Sequence, residues 1–131
     1  HNVAKCLGDT GHRSAALAAI RETATIRREL AGRDPATHAP ALAPCLHRLA
    51  KRLAEAGHRS EALETAQEAA SLYRSLARKR PETFNQGLAD TLGTYASILQ
   101  WRGKEADAAR IRQEIKDVTL QMEIEASGGS F

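Results

Sequence analysis

Proline, cysteine and aromatic residues are all scarce in this chain, and long apolar runs are missing altogether. Four prolines and five aromatics (Tyr73, Phe84, Tyr95, Trp101 and Phe131), set among many Ala, Leu, Arg and Glu residues, leave little to build strands from and favour helix. Cys6 and Cys45 stand without any framework of paired spacings. That excludes a disulfide-stapled scaffold and fits a reduced, intracellular compartment, so a cytoplasmic setting is expected. No apolar run approaches the roughly 18 to 20 residues that a membrane-spanning helix needs. No charged-then-apolar leader opens the chain either, so no membrane partner is expected. The formal net charge of +3, with both signs interspersed, points to a solvated surface rather than to a nucleic-acid footprint.

Catalytic signatures are missing as well. There is no glycine-rich phosphate loop, and Gly128 and Gly129 sit in a terminal Ser-Gly-Gly-Ser stretch that reads as a flexible tail over 127–131. Cys45-x-His47, and Cys6 with His12, lack a second ligand pair at zinc-like spacing. Neither belongs to a set of nucleophile, base and orienting acid. The chain is therefore expected to be no enzyme and to need no metal or cofactor.

What is present is a repeat. Gly11-His12-Arg13-Ser14 with Ala16-Leu17 recurs 46 residues later as Gly57-His58-Arg59-Ser60 with Ala62-Leu63. After another 46 residues it recurs as the weaker copy Gly103-Lys104-Glu105-Ala106 with Ala108-Ala109. The same offset superposes Leu30 on Leu76, Pro35 on Pro81, Leu42 on Leu88, Leu46 on Leu92, Ala50 on Ala96 and Leu53 on Leu99. His12 and His58, at one position of successive copies, read as turn residues rather than as parts of a catalytic site.

Within a unit, Leu42, Leu46, Leu49, Ala50 and Leu53 line one stripe of a helix of roughly 3.6 residues per turn. Leu88, Leu92, Tyr95, Ala96 and Leu99 repeat that stripe. After the glycine, Ala62, Leu63, Ala66, Ala69, Ala70, Leu72, Tyr73 and Leu76 form a second stripe, so each unit is a helix pair. The glycines suit a left-handed stop at a helix end, and Ser14 and Ser60 are expected to cap the helices that follow. Pro35 and Pro81 should end each second helix, while Pro40 and Pro44 should confine the next helix start to their own stretch. A last helix is expected from about Lys104 to Ala126, with Ile111, Ile115, Val118 and Met122 on one face. Arg112 and Lys116 stand where the earlier unit has Ala66 and Ala70, as at the solvated end of a stack. One pair cannot cover its own stripes, so pairs must stack. The expected fold is all-α, an α-solenoid of antiparallel helix pairs with about two and a half repeats of 46 residues. Its units run about 1–35, 36–81 and 82–126, with His1 inside a helix and further repeats expected upstream.

The pattern Leu46-x2-Leu49-Ala50-x2-Leu53-x3-Gly57-x4-Ala62, and its copy Leu92-x2-Tyr95-Ala96-x2-Leu99-x3-Gly103-x4-Ala108, resembles the tetratricopeptide signature. The 46-residue period exceeds the roughly 34 residues usual there and is similar to the long-helix variant of kinesin-light-chain-like and nephrocystin-3-like arrays. Two features depart from the family pattern. Ile20, Ala66 and Arg112 stand where its second helix usually has an aromatic, and the closing proline comes late. HEAT and armadillo repeats share this range of periods.

The resemblance implies a superhelix whose first helices line a concave face that grips a peptide. By position, that face would carry His1, Asn2 and Lys5, then His47, Arg48, Lys51 and Glu55, then Thr94, Ser97, Gln100 and Trp101. Only Asn2 matches the paired asparagines with which kinesin-light-chain-like repeats clamp a peptide backbone. His47, Arg48, Lys51 and Arg52 form a basic turn that fits an acidic or phosphorylated peptide, or else solvates a helix face. Trp101 is either a binding anchor or packed against the last helix. Arg27-Arg28 and Arg78-Lys79-Arg80 fall where positive charge offsets the helix dipole. The leading expectation is a non-catalytic protein-interaction scaffold binding a peptide or partner domain, with self-association through an open N-terminal end also open. The alternative is a sensor segment regulating a signalling ATPase or caspase-like protease elsewhere in a larger protein. RNA binding, which would be salt-sensitive, is the third reading.

Overall fold

The computed structural model describes the backbone of residues 2–127 and the side chains of residues 14–127. Five helices follow one another: α1 (Asn2–Arg33), α2 (Pro35–Glu55), α3 (Arg59–Lys79), α4 (Pro81–Trp101) and α5 (Glu105–Ala126). No strand occurs among the described residues. Each helix packs on the next, and α2 also touches α4.

Two kinds of joint alternate. After α2 and α4 the chain closes a Schellman turn: Gly57 N–H donates to the Ala54 carbonyl and His58 N–H to that of Leu53. Gly103 and Lys104 do the same to Gln100 and Leu99. Gly57 and Gly103 have φ of 85° and 78°, the left-handed region that a side chain disfavours. After α1 and α3 a single residue, Asp34 or Arg80, separates two helices. Each precedes a proline, whose ring holds it extended, at φ of −144° and −138° respectively. Pro35 and Pro81 then open the next helix, where the missing N–H is not needed.

Three local expectations require correction. α1 passes through Gly11 without a bend. The segment before that glycine has Val3 and Leu7 as its only large aliphatics. It offers far less stripe to fold back than Leu42, Leu46, Leu49 and Leu53 do before Gly57. Ser14 therefore lies inside α1, and Ser60 falls within α3 behind the cap position of His58, because the Schellman turn hands the chain straight to that residue. Pro40 and Pro44 lie inside α2, not ahead of it. Each costs about 3 kcal/mol, offset by Ala39, Leu42, Ala43 and Cys45, which surround them and are buried.

Burial follows the repeat. Leu42, Leu46, Leu49, Ala50 and Leu53 are buried on α2, and so are Leu88, Leu92, Tyr95, Ala96 and Leu99 at the matching positions of α4. Between them lies the alanine stripe of α3 (Ala62, Ala66, Ala69, Ala70 and Ala77), buried and small enough to bring backbones close. Leu46, Leu53 and Leu92 are fully enclosed, and each contributes about 1.5 to 3 kcal/mol. Tyr73 is the one large buried side chain of α3, and it fits only because Gly87 on α4 has no side chain: a Cβ there would lie 2.5 Å from the ring. On α5 only Ala108 is buried, while Ile111, Ile115, Val118 and Met122 are half-covered.

The odd-numbered helices are linked by long side chains. Arg28 forks onto Glu68 at 2.8 and 3.0 Å, and Arg74 onto Glu114 at 2.7 Å through both nitrogens. These two pairs are equivalent under the 46-residue period. Arg21 reaches Glu61 at 2.7 Å, a second link from α1 to α3.

Two predictions follow from this frame. Gly57→Ala should cost about 1 to 2 kcal/mol in urea unfolding, whereas Gly11→Ala, inside a helix, should gain up to about 1 kcal/mol and raise helicity. An equal loss at both positions would mean that the chain also bends at Gly11. A double-mutant cycle should give Arg74–Glu114, about 30% exposed, a coupling of up to about 1 kcal/mol. That coupling should exceed the value for Arg28–Glu68, whose side chains are 40% and 42% exposed.

Candidate binding face of α2 and α4

The stripe of α2 opposite its leucines runs through Pro40, Pro44, His47, Arg48 and Lys51, and the matching stripe of α4 through Gln86, Asp90, Thr94 and Ser97. Where α2 and α4 touch, His47 Nε2 lies 2.8 Å from the Thr94 hydroxyl. That hydroxyl donates to the Asp90 carbonyl at 3.4 Å, so the tautomer that completes the chain donates from Nε2 to Thr94. His47 is half-buried. Burial, reinforced by the Lys51 ammonium and opposed by the Asp90 carboxylate, holds its pKa below the ordinary imidazole value.

Of the basic turn expected on α2, only part remains a free cationic surface. His47 is drawn into the contact with Thr94, and Arg52 pairs with Glu55 at 3.1 Å. Arg48 and Lys51 are exposed and have no ion-pair partner among the described residues. They line a shallow recess of about 260 Å³ with Pro44, His47 and Arg52. Ser97 is exposed on α4.

Asp90 was not among the expected residues. It is exposed, accepts a hydrogen bond from Gln86 at 2.9 Å and places negative charge beside His47. Its signal in the sequence is weak, because the carboxylate matters only through a neighbour on another helix. The Arg28–Glu68 and Arg74–Glu114 links were also missed, although both pairs have a 40-residue spacing that itself recurs with the repeat.

The other expected residues lie elsewhere. Gln100 accepts from Arg112 of α5. The Trp101 ring lies 4.1 Å beneath the Arg59 guanidinium at the start of α3 and is 39% exposed. Glu55 is held by Arg52 at the end of α2. Asn2 and Lys5 lie on α1 where side chains fall outside the described residues, as do those of Cys6 and His12, while His1 and the tail 128–131 lie outside them entirely. His58 is exposed and Cys45 is a buried free thiol. Arg28 serves the lateral pair with Glu68, whereas Arg78 and Lys79 stand in the last turn of α3. Among the described residues no three His, Cys, Asp or Glu side chains gather to hold a metal, and no helix is long and apolar enough to cross a membrane.

His47 also sets a pH dependence. Its folded pKa lies below the unfolded value near 6.5, so its contribution is complete above that pH and is lost as pH falls through the folded pKa. From about pH 7.5 to about 5.5, the melting temperature of the native chain should fall more than that of His47→Gln; parallel curves would show that His47 does not contribute. Comparison with family models, curated proteins and solved structures finds no match for this chain.

Proposed function

We propose that the chain is a helical-repeat module of the tetratricopeptide kind, a stack of antiparallel helix pairs whose α2–α4 face holds an extended polypeptide segment without doing chemistry on it. The observation that carries this reading is the equivalence of α2 and α4. Side chains 46 residues apart are buried alike, the two helices touch, and His47 meets Thr94 across the seam. Such a seam presents two parallel rows of outward side chains at a fixed spacing, which suits an elongated guest more than a compact ligand. Mixed polar groups along it, with Arg48 and Lys51 on one side and Asp90 and Ser97 on the other, offer hydrogen bonds and charge without an enclosed reaction chamber.

The guest on this reading carries acidic side chains opposite Arg48 and Lys51, set clear of Asp90. A reducing, cytoplasmic setting suits the buried, free thiol of Cys45. The test is fluorescence anisotropy with labelled peptides rich in Asp and Glu, against the native chain and the double variant Arg48→Glu, Lys51→Glu. Binding should saturate and then weaken by about tenfold or more in the variant, equivalent to about 1.4 kcal/mol. Equal affinity for both proteins, or no binding by either, would overturn the assignment of this face.

A further inference from the structure

Where α1 meets the C-terminal end of α2, a cavity of about 730 Å³ is lined by Ser14, Ala16 and Leu17 on one side and by Arg52, Glu55, Ala56 and His58 on the other. Moving one period of 46 residues along the chain turns these walls into Ser60, Ala62 and Leu63 of α3 and Ile98, Trp101 and Arg102 at the end of α4. That second corner is filled from within. Ile98 is buried, Trp101 lies 4.1 Å under the Arg59 guanidinium, and Arg102 donates to the Ser60 hydroxyl at 3.3 Å. At the first corner, the positions of Ile98 and Trp101 are held by Arg52 and Glu55. These form an ion pair at 3.1 Å with side chains 46% and 59% exposed. Ala56, in place of Arg102, has no side chain with which to reach Ser14. Two corners built on one plan thus differ at these three wall positions, and the change that matters most for what fits between the helices is Glu55 in place of the Trp101 ring.

We propose that the cavity between α1 and α2 receives an aromatic side chain, indole or phenol, from a partner polypeptide, in the place that Trp101 takes between α3 and α4. Ala16 and Leu17 offer the ring an apolar wall. The Arg52 guanidinium, from the position of Ile98 rather than that of Arg59, offers the ring a cation as Arg59 does to Trp101. The Glu55 carboxylate supplies an acceptor for the indole N–H or phenol O–H, the polar handle that a seated Trp or Tyr needs to satisfy. An anionic guest would meet the Glu55 carboxylate, and an aliphatic one would engage neither member of the Arg52–Glu55 pair. The site shares only Arg52 with the recess beside Pro44 and does not depend on the α2–α4 face holding a peptide.

N-acetyl-tryptophanamide titrated into the isotope-labelled chain is the direct probe. Saturable amide shifts are expected at Ser14, Leu17, Ala56 and His58, with weaker shifts from N-acetyl-leucinamide. Glu55→Trp, which restores the residue found one period later, should raise the melting temperature and abolish those shifts. Shifts that centre elsewhere, that survive in folded Glu55→Trp, or that the leucine analogue matches would overturn the proposal, and so would a lower melting temperature in that variant. Concentration-dependent dimers in sedimentation, removed by Glu55→Trp, would assign the cavity to a second copy and overturn a separate partner.

Discussion

No helix in this chain can shelter its own apolar stripe, and that constraint organises the rest. The leucines of α2 and α4 close over the alanines of α3, which alone is flanked on both sides by full leucine rows. Small residues on one helix and branched ones on its neighbours let three backbones draw close while the space between them stays filled. Away from this centre the cover thins: α5 buries only Ala108, and Leu120 and Ile124 remain exposed on it. Among the described residues, stability is therefore greatest around α3 and declines toward α5.

How much of this was legible depended on whether a signal was local. The 46-residue offset placed the turns at Gly57 and Gly103, the breaks at Pro35 and Pro81, and both leucine stripes, because each arises from residues close together in the chain. Gly11 carries the same flanking tetrapeptide, yet a glycine permits a bend without compelling one. The fold-back needs two stripes worth bringing together. Pro40 and Pro44 show the converse, since a penalty written in the local sequence is overridden by the core that surrounds it. Tetrapeptide and proline rules are local statements, and at Pro40 and Pro44 tertiary burial overrode them.

The places of His47, Arg48, Lys51, Thr94 and Ser97 on α2 and α4 were legible, but the electrical character of that face was not. His47, Arg48, Lys51 and Arg52 look like one basic block when read along α2. In three dimensions the block is divided, with His47 drawn toward Thr94 and Asp90, Arg52 toward Glu55, and only Arg48 and Lys51 left facing outward. The neighbours of His47 lie across the groove, more than forty residues away in sequence, whereas the Glu55 that holds Arg52 is one turn along the same helix. Trp101 likewise meets Arg59, 42 residues before it in sequence.

The two rows of helices are fastened by different means. The even-numbered helices α2 and α4 touch directly over a limited stretch, whereas α1, α3 and α5 are laced together through the reach of arginine and glutamate. A direct helix contact resists changes in spacing more than a lacing of long, partly hydrated side chains does. Flexing would then open and close the outer row like the ribs of a fan around a fixed pivot. Ionic strength would tune the stiffness of that motion without disturbing the seam itself.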